Sequence, residues 1–249
     1  MKFKNKAVVV TGGGTGIGRA MCLRFAREGA AVVVNYSKSK TQADEVVSRI
    51  EGAGGRAWAL QADVSNDRQA RELIARSVER MGRLDLLINN AGWTRFIPHH
   101  ELEHLSEEVL ENTWGVIVKG PIYCIRAAVP HLKATVNASI INTTSIAAYT
   151  ARGSSLIYVA AKSALASITK ALARALAPEI RVNAIAPGFV DTGFVNWTPE
   201  VLKDLQKPTR LGRTIDREDV ADAAVFLAAD AKSTTGQTIL VDAGDTALG

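Results

Sequence analysis

Hydrophobic residues follow two alternating rhythms along this chain. Short unbroken apolar runs, rich in valine and isoleucine, mark strands at 6–11, 31–35, 56–62, 84–89, 138–143, 180–186 and 237–241. Between them, apolar residues recur every three to four positions over 17–28, 41–53, 67–81, 106–132, 155–177 and 217–229, the spacing of helices with one face on a core. Strands that are apolar at consecutive positions have both faces covered, which points to a parallel sheet between layers of helices. Strand–helix alternation with right-handed crossovers predicts a doubly wound α/β fold with a seven-stranded, mostly parallel sheet and helices on both faces. No Pro/Gly/Ser-rich stretch or charge block divides the chain, so residues 1–249 are expected to form a single domain. The segment 188–212 lacks strong periodicity, follows a strand end and holds Phe189, Phe194 and Trp197. It is expected to act as a substrate lid.

Composition narrows the function classes. Hydrophobic residues make up 47% and charged residues 22%, an ordinary globular balance that leaves no place for disorder. The net charge of +5 is scattered, often beside acids as in Arg71-Glu72 and Arg217-Glu218, so no stripe or tail exists to grip nucleic acid. The continuous apolar runs are too short to span a bilayer, and MKFKNKAVVV lacks a signal-peptide cleavage pattern, so a soluble cytoplasmic protein without a membrane partner is expected. Cys22 and Cys124 lie among apolar neighbours in helical patterns and read as reduced core thiols. No Cys/His grouping has metal spacing, and adjacent His99 and His100 cannot share a helix face, so no metal is expected.

The chemistry concentrates at strand ends. Thr11-Gly12-Gly13-Gly14-Thr15-Gly16-Ile17-Gly18 leaves the first strand and opens the first helix. Glycines at 12, 16 and 18 allow a tight turn that brings backbone N–H groups to a pyrophosphate at a helix N-terminus, the arrangement of a dinucleotide-binding Rossmann domain. At the end of the second strand, an acid would bind the ribose 2′-OH of NAD; the chain has Asn35-Tyr36-Ser37-Lys38 instead. With no carboxylate to repel a 2′-phosphate, and with Ser37 and Lys38 able to bind one, NADP(H) is the expected cofactor and NAD(H) the alternative. Tyr158 and Lys162 are four apart in a helical pattern and share a face. A cation beside a tyrosine favours the phenolate, which lets the residue exchange a proton near neutrality. Ser145, just past the fifth strand, is placed to donate to a substrate oxygen.

Taken together, these segments resemble the short-chain dehydrogenase/reductase family, in particular the 3-oxoacyl-acyl-carrier-protein reductases. The similarity extends through Ala62-Asp63-Val64, Asn89-Asn90-Ala91-Gly92, Arg181-Val182-Asn183, Pro187-Gly188 with Thr192, Thr235-Gly236-Gln237 and Val241-Asp242. It implies hydride transfer between a nicotinamide and a small-molecule carbonyl or alcohol. Tyr158 would be the acid/base; Lys162 would bind the nicotinamide ribose and lower the tyrosine pKa, and Ser145 would orient the substrate. By the same resemblance Gly12, Gly16 and Ile17 border the pyrophosphate and Asp63 and Val64 the adenine. Asn89 and Gly92 lie along the ribose, and Pro187, Gly188 and Thr192 embrace the nicotinamide. It further implies a homotetramer. Two positions depart from the family pattern. Ile117 stands where the family has an asparagine that holds a water in the proton relay, and Ala243 stands where it tends to have glycine. The first departure keeps a second reading open, a nucleotide-binding sensor or scaffold with impaired catalysis.

Overall fold

The structure, a computed structural model, describes residues 1–246. Seven strands form one sheet: β1 (Ala7–Val10), β2 (Ala31–Tyr36), β3 (Arg56–Gln61), β4 (Leu86–Asn89), β5 (Ala138–Thr143), β6 (Ile180–Pro187) and β7 (Thr238–Val241). Their spatial order is β3-β2-β1-β4-β5-β6-β7, and all six pairings are parallel, so the sheet is wholly rather than mostly parallel. The order reverses between β1 and β4, and the crevice at such a switch point is where α/β sheets bind ligands.

Alternate residues of each strand feed opposite cores, which is why the strands read as unbroken apolar runs. Val8, Val10, Val32 and Val34 pack on one face with Met21 and Phe25 of α1 (Gly16–Arg27), Val46 and Ile50 of α2 (Lys40–Gly52) and Val220 and Val225 of α9 (Arg217–Val225). Val9, Val33, Leu87 and Ile140 face the other way, onto Leu73 and Ile74 of α3 (Asp67–Met81) and Cys124, Ile125 and Leu132 of α5 (Gly120–Lys133). Each such buried side chain stabilises the fold by about 1.5–3 kcal/mol. The longest helix, α7 (Leu156–Leu176), packs on β5 and β6 and closes the second face. By length and composition alone α7 would also suit a membrane, but its inner face carries Lys162 and Thr169 into the core.

The pattern expected over 106–132 is not one regular helix. It divides into α4 (Glu107–Trp114), a π-helical turn (Gly115–Lys119) and α5. Pro121 has no N–H to give to the Ile117 carbonyl four residues back, so the i→i−4 ladder cannot continue there. Instead the Gly120 N–H reaches the Gly115 carbonyl. The helix expected over 217–229 likewise ends in a π turn, Phe226–Asp230. Two short helices lie above the sheet edge, α6 (Ala147–Thr150) and α8 (Pro199–Leu205), the latter inside 188–212.

Candidate active site

The C-terminal ends of the strands open into a cleft of about 1340 Å³. Its floor at the switch point is the glycine turn. Gly12 has φ +63°, and a Cβ there would come within 3.0 Å of the Ala91 backbone. A Cβ on Gly18 would overlap the Gly12 carbonyl, so the first turn of α1 can approach the loop only without a side chain. Asn90 donates to the Thr11 and Gly12 carbonyls at 3.0 and 3.2 Å, while the Thr11 hydroxyl accepts from the N–H groups of Asn90 and Ala91. The N-cap of α1, Thr15, makes no side-chain cap, and no acid occupies the first turn. Backbone donors and a positive dipole end therefore face the cleft beside Gly16 and Ile17, and both suit a pyrophosphate.

Asn35 has a different task from the one its position suggests. Its amide oxygen accepts from the Gly12 N–H at 3.2 Å, and its NH₂ group donates to the Leu60 and Ala62 carbonyls. Buried and fully engaged, it is a strut between the glycine turn and the ends of β2 and β3. Ser37 and Lys38 line the adjoining wall of the cleft. Asp63 accepts from the N–H and hydroxyl of Ser65 at 3.0 and 2.7 Å, and Val64 packs beneath Gly120.

Ser145, Tyr158 and Lys162 meet at the middle of the cleft. Ser155 caps α7 by accepting from the Tyr158 N–H, which fixes Tyr158 in the first turn and Lys162 one turn later on the same face. The Lys162 ammonium lies 5.6 Å from the centre of the Tyr158 ring and donates to the Thr143 carbonyl at 2.7 Å. Burial disfavours its charge and pulls it down to about 7. Burial also raises the Tyr158 hydroxyl, with the Ser145 hydroxyl acting in the opposite sense. A tyrosine in that state holds a proton it can give. Below the trio, Asn89 donates to Asn142 at 2.9 Å, Asn142 to Thr169 at 2.9 Å, and Thr169 to the Leu165 carbonyl, tying β4, β5 and α7 together. The buried Asn89 Oδ1 and Thr143 Oγ1 have no protein partner, and Thr143 lines the cleft. The groove, the open α1 terminus and this orphaned hydroxyl all fit a bound dinucleotide. Pro187 ends β6 and Gly188 follows it, while Thr192 lies over Gly16 and Phe194 over Gly92, each 3.1 Å from where a Cβ would stand.

Ile117 sits at the π turn, fully buried, in an apolar cluster with Val118, Ala161 and Leu165 that Tyr158 also joins. Three contributors had no separate signal in the sequence. Thr11 and Asn90 sit inside motifs whose neighbours drew the attention, and Asn142 looks like one more strand residue until its pairing with Asn89 across β4 and β5 is seen.

The chain is similar to known proteins over nearly its whole length. A family model described as enoyl-(acyl carrier protein) reductase matches residues 12–246. An uncharacterised oxidoreductase of Methylorubrum extorquens is 41% identical, covering 98% of both chains. A 3-oxoacyl-(acyl-carrier-protein) reductase of Staphylococcus epidermidis is 37% identical over 96% of this chain and 98% of its own. The crystal structure of a short-chain dehydrogenase from Burkholderia cenocepacia, in complex with NADP, superposes with TM-score 0.92 at 33% identity, covering 99% of this chain and 100% of that one. The chain belongs to the short-chain dehydrogenase/reductase family. It is an oxidoreductase that works with a nicotinamide dinucleotide.

Proposed function

We propose that the protein is an NADP(H)-dependent carbonyl reductase or alcohol dehydrogenase in which Tyr158 handles the proton. The observation that carries this reading is the trio of Ser145, Tyr158 and Lys162 within one cleft, with Lys162 held between the Thr143 carbonyl and the tyrosine ring. When bound, the nicotinamide supplies or accepts the hydride. In the reducing direction Ser145 donates a hydrogen bond to the substrate carbonyl oxygen, and Tyr158 gives that oxygen its proton. Lys162, protonated, stabilises the phenolate left behind. Oxidation reverses each transfer. Cofactor contacts are assigned to Gly12, Gly16, Ile17, Asp63, Val64, Asn89, Gly92, Pro187, Gly188 and Thr192, with Asn35 acting through the glycine turn. Ser37 and Lys38, with no acid at the end of β2, support NADP(H), as does the NADP in the Burkholderia structure.

The relay needs another acceptor in place of the family's asparagine. Ile117 is also the observation that favours the second reading, a nucleotide sensor with impaired turnover. We further propose a single cytoplasmic domain, with 188–212 as its lid. We also propose a homotetramer, supported by exposed Leu110, Ile122 and Leu156 on the outer faces of α4, α5 and α7. Titration with NADPH and NADH, followed by cofactor oxidation against a panel of ketones and aldehydes, tests the main reading. Tighter binding of NADPH and turnover of at least one carbonyl are expected; tighter NADH binding, or cofactor binding with no turnover, contradicts it.

A further inference from the structure

We infer that the physiological substrate carries a carboxylate, which Arg152 binds. This rests on the oxidoreductase reading above and adds the substrate class.

The chain between Ser145 and Tyr158 forms one wall of the cleft, and Arg152 lies on it. Ala151, at φ +55° and ψ +20°, turns the chain there in the left-handed region that a non-glycine residue rarely adopts. The turn is pinned by the Ala151 N–H to the Ala147 carbonyl at 3.1 Å and the Arg152 N–H to the Thr150 hydroxyl at 3.2 Å. Gly153 follows. A Cβ on it would stand 3.2 Å from the Tyr158 ring and 3.3 Å from Ala147, so its backbone lies directly on the catalytic tyrosine. Arg152 therefore leaves the main chain one residue from the ring that delivers the proton. Its side chain is long enough to reach a group on a substrate held there.

Other cations near the cleft are already engaged or elsewhere. Lys162 donates to Thr143, and Lys207 pairs with Asp204 at 2.5 Å. Lys38 belongs to the adenosine end. Arg95 faces Glu108 at 3.8 Å and lies over Trp93. Among the described residues neither Lys38 nor Arg152 makes a side-chain hydrogen bond or ion pair, but of the two only Arg152 lies on the wall beside Tyr158, and no cleft carboxylate meets it. Trp93, Phe96 and Trp197 line the same cleft, with Phe96 and Trp197 in contact at a centroid distance of 5.2 Å. Aromatic walls and one free guanidinium next to the proton donor match an oxo acid, or hydroxy acid, with an apolar body. A planar guanidinium binds a carboxylate bidentately, which also fixes the carbonyl relative to Tyr158.

The test compares aryl-substituted oxo acids with their methyl esters, using NADPH and the intact enzyme. Wild type should prefer the acid in kcat/KM. Arg152→Gln should lower kcat/KM for the acid about tenfold or more, mainly through KM, with the ester unchanged; this is the scale of one charge-assisted contact. Arg152→Lys should recover part of the loss. Calorimetric titration of the NADPH complex with an aryl carboxylate gives a readout independent of turnover, and Arg152→Gln should weaken it by a similar factor. Equal use of acid and ester by wild type, or a Gln variant that changes neither or both alike, overturns the inference. Carboxylate binding that depends on Arg152, in an enzyme that reduces no carbonyl, supports this inference and counts against the carbonyl-reductase proposal.

Discussion

Replacing Ile117 with asparagine sets packing against catalysis at a single buried position. The family resemblance alone predicts that Ile117→Asn keeps the fold and raises turnover, because it restores a partner for the relay water. The environment predicts otherwise. Ile117 is 0% exposed, among Val118, Ala161, Leu165 and the Tyr158 ring. Removing its buried apolar surface costs about 1.5–3 kcal/mol. Burying an amide with no partner costs about 1–3 kcal/mol more. The sum is about 2.5–6 kcal/mol, and at about 2–4 °C per kcal/mol for a chain of this size the melting temperature should fall by about 5–24 °C. Displacement of Tyr158 by the repacking should leave kcat unchanged or lower. Thermal unfolding, kcat and the solvent isotope effect of both forms decide the matter. An unchanged melting temperature with higher kcat would show that water reaches this side chain, and would refute the reasoning.

Other consequences concern charge and backbone. With Lys162 lowered to about 7 against 10.5 when unfolded, the unfolded chain holds the extra proton between those values, so apo stability should rise with pH across that window. Urea unfolding at pH 7 and 9 should show a gain of about 2 kcal/mol relative to Lys162→Met, and parallel profiles would contradict the assignment. Ala243 has φ +51°. Ala243→Gly relieves about 1–2 kcal/mol of left-handed strain and loses about 0.4–1 kcal/mol to unfolded-chain entropy, so it should raise the melting temperature, by up to about 6 °C; a drop counts against the strain. Lys38→Ala should weaken NADPH binding several-fold and leave NADH unaffected, measured by fluorescence titration; equal losses would remove Lys38 from the 2′-phosphate.

The readable parts of the fold were those where local signals and packing agree. The β5 run matches the observed strand residue for residue, and α3 matches at both ends because Asn66 caps its start and left-handed Gly82 stops it. The π turns were hidden because the apolar rhythm continues through them; only Pro121 marks the break. Helix α8 buries no residue, so it has no periodic apolar face to read. In the site, Tyr158 and Lys162 were legible because four-residue spacing in a helix dictates a shared face. Asn35 was legible as a position and not as a contact, since the carbonyls it bonds come from β3 and its far end. The glycine preference opposite Ala243 became intelligible only with its φ angle.

Whether the Tyr158 hydroxyl delivers the proton in this cleft is tested most directly by the single-turnover rate of carbonyl reduction in wild type and Tyr158→Phe, with NADPH affinity measured in the same preparations. The substitution removes the donor and leaves every proposed phosphate contact in place. The rate should fall by about 10²–10⁴-fold with NADPH affinity unchanged. A loss of less than tenfold would show that another group carries the proton, and would contradict that role for Tyr158.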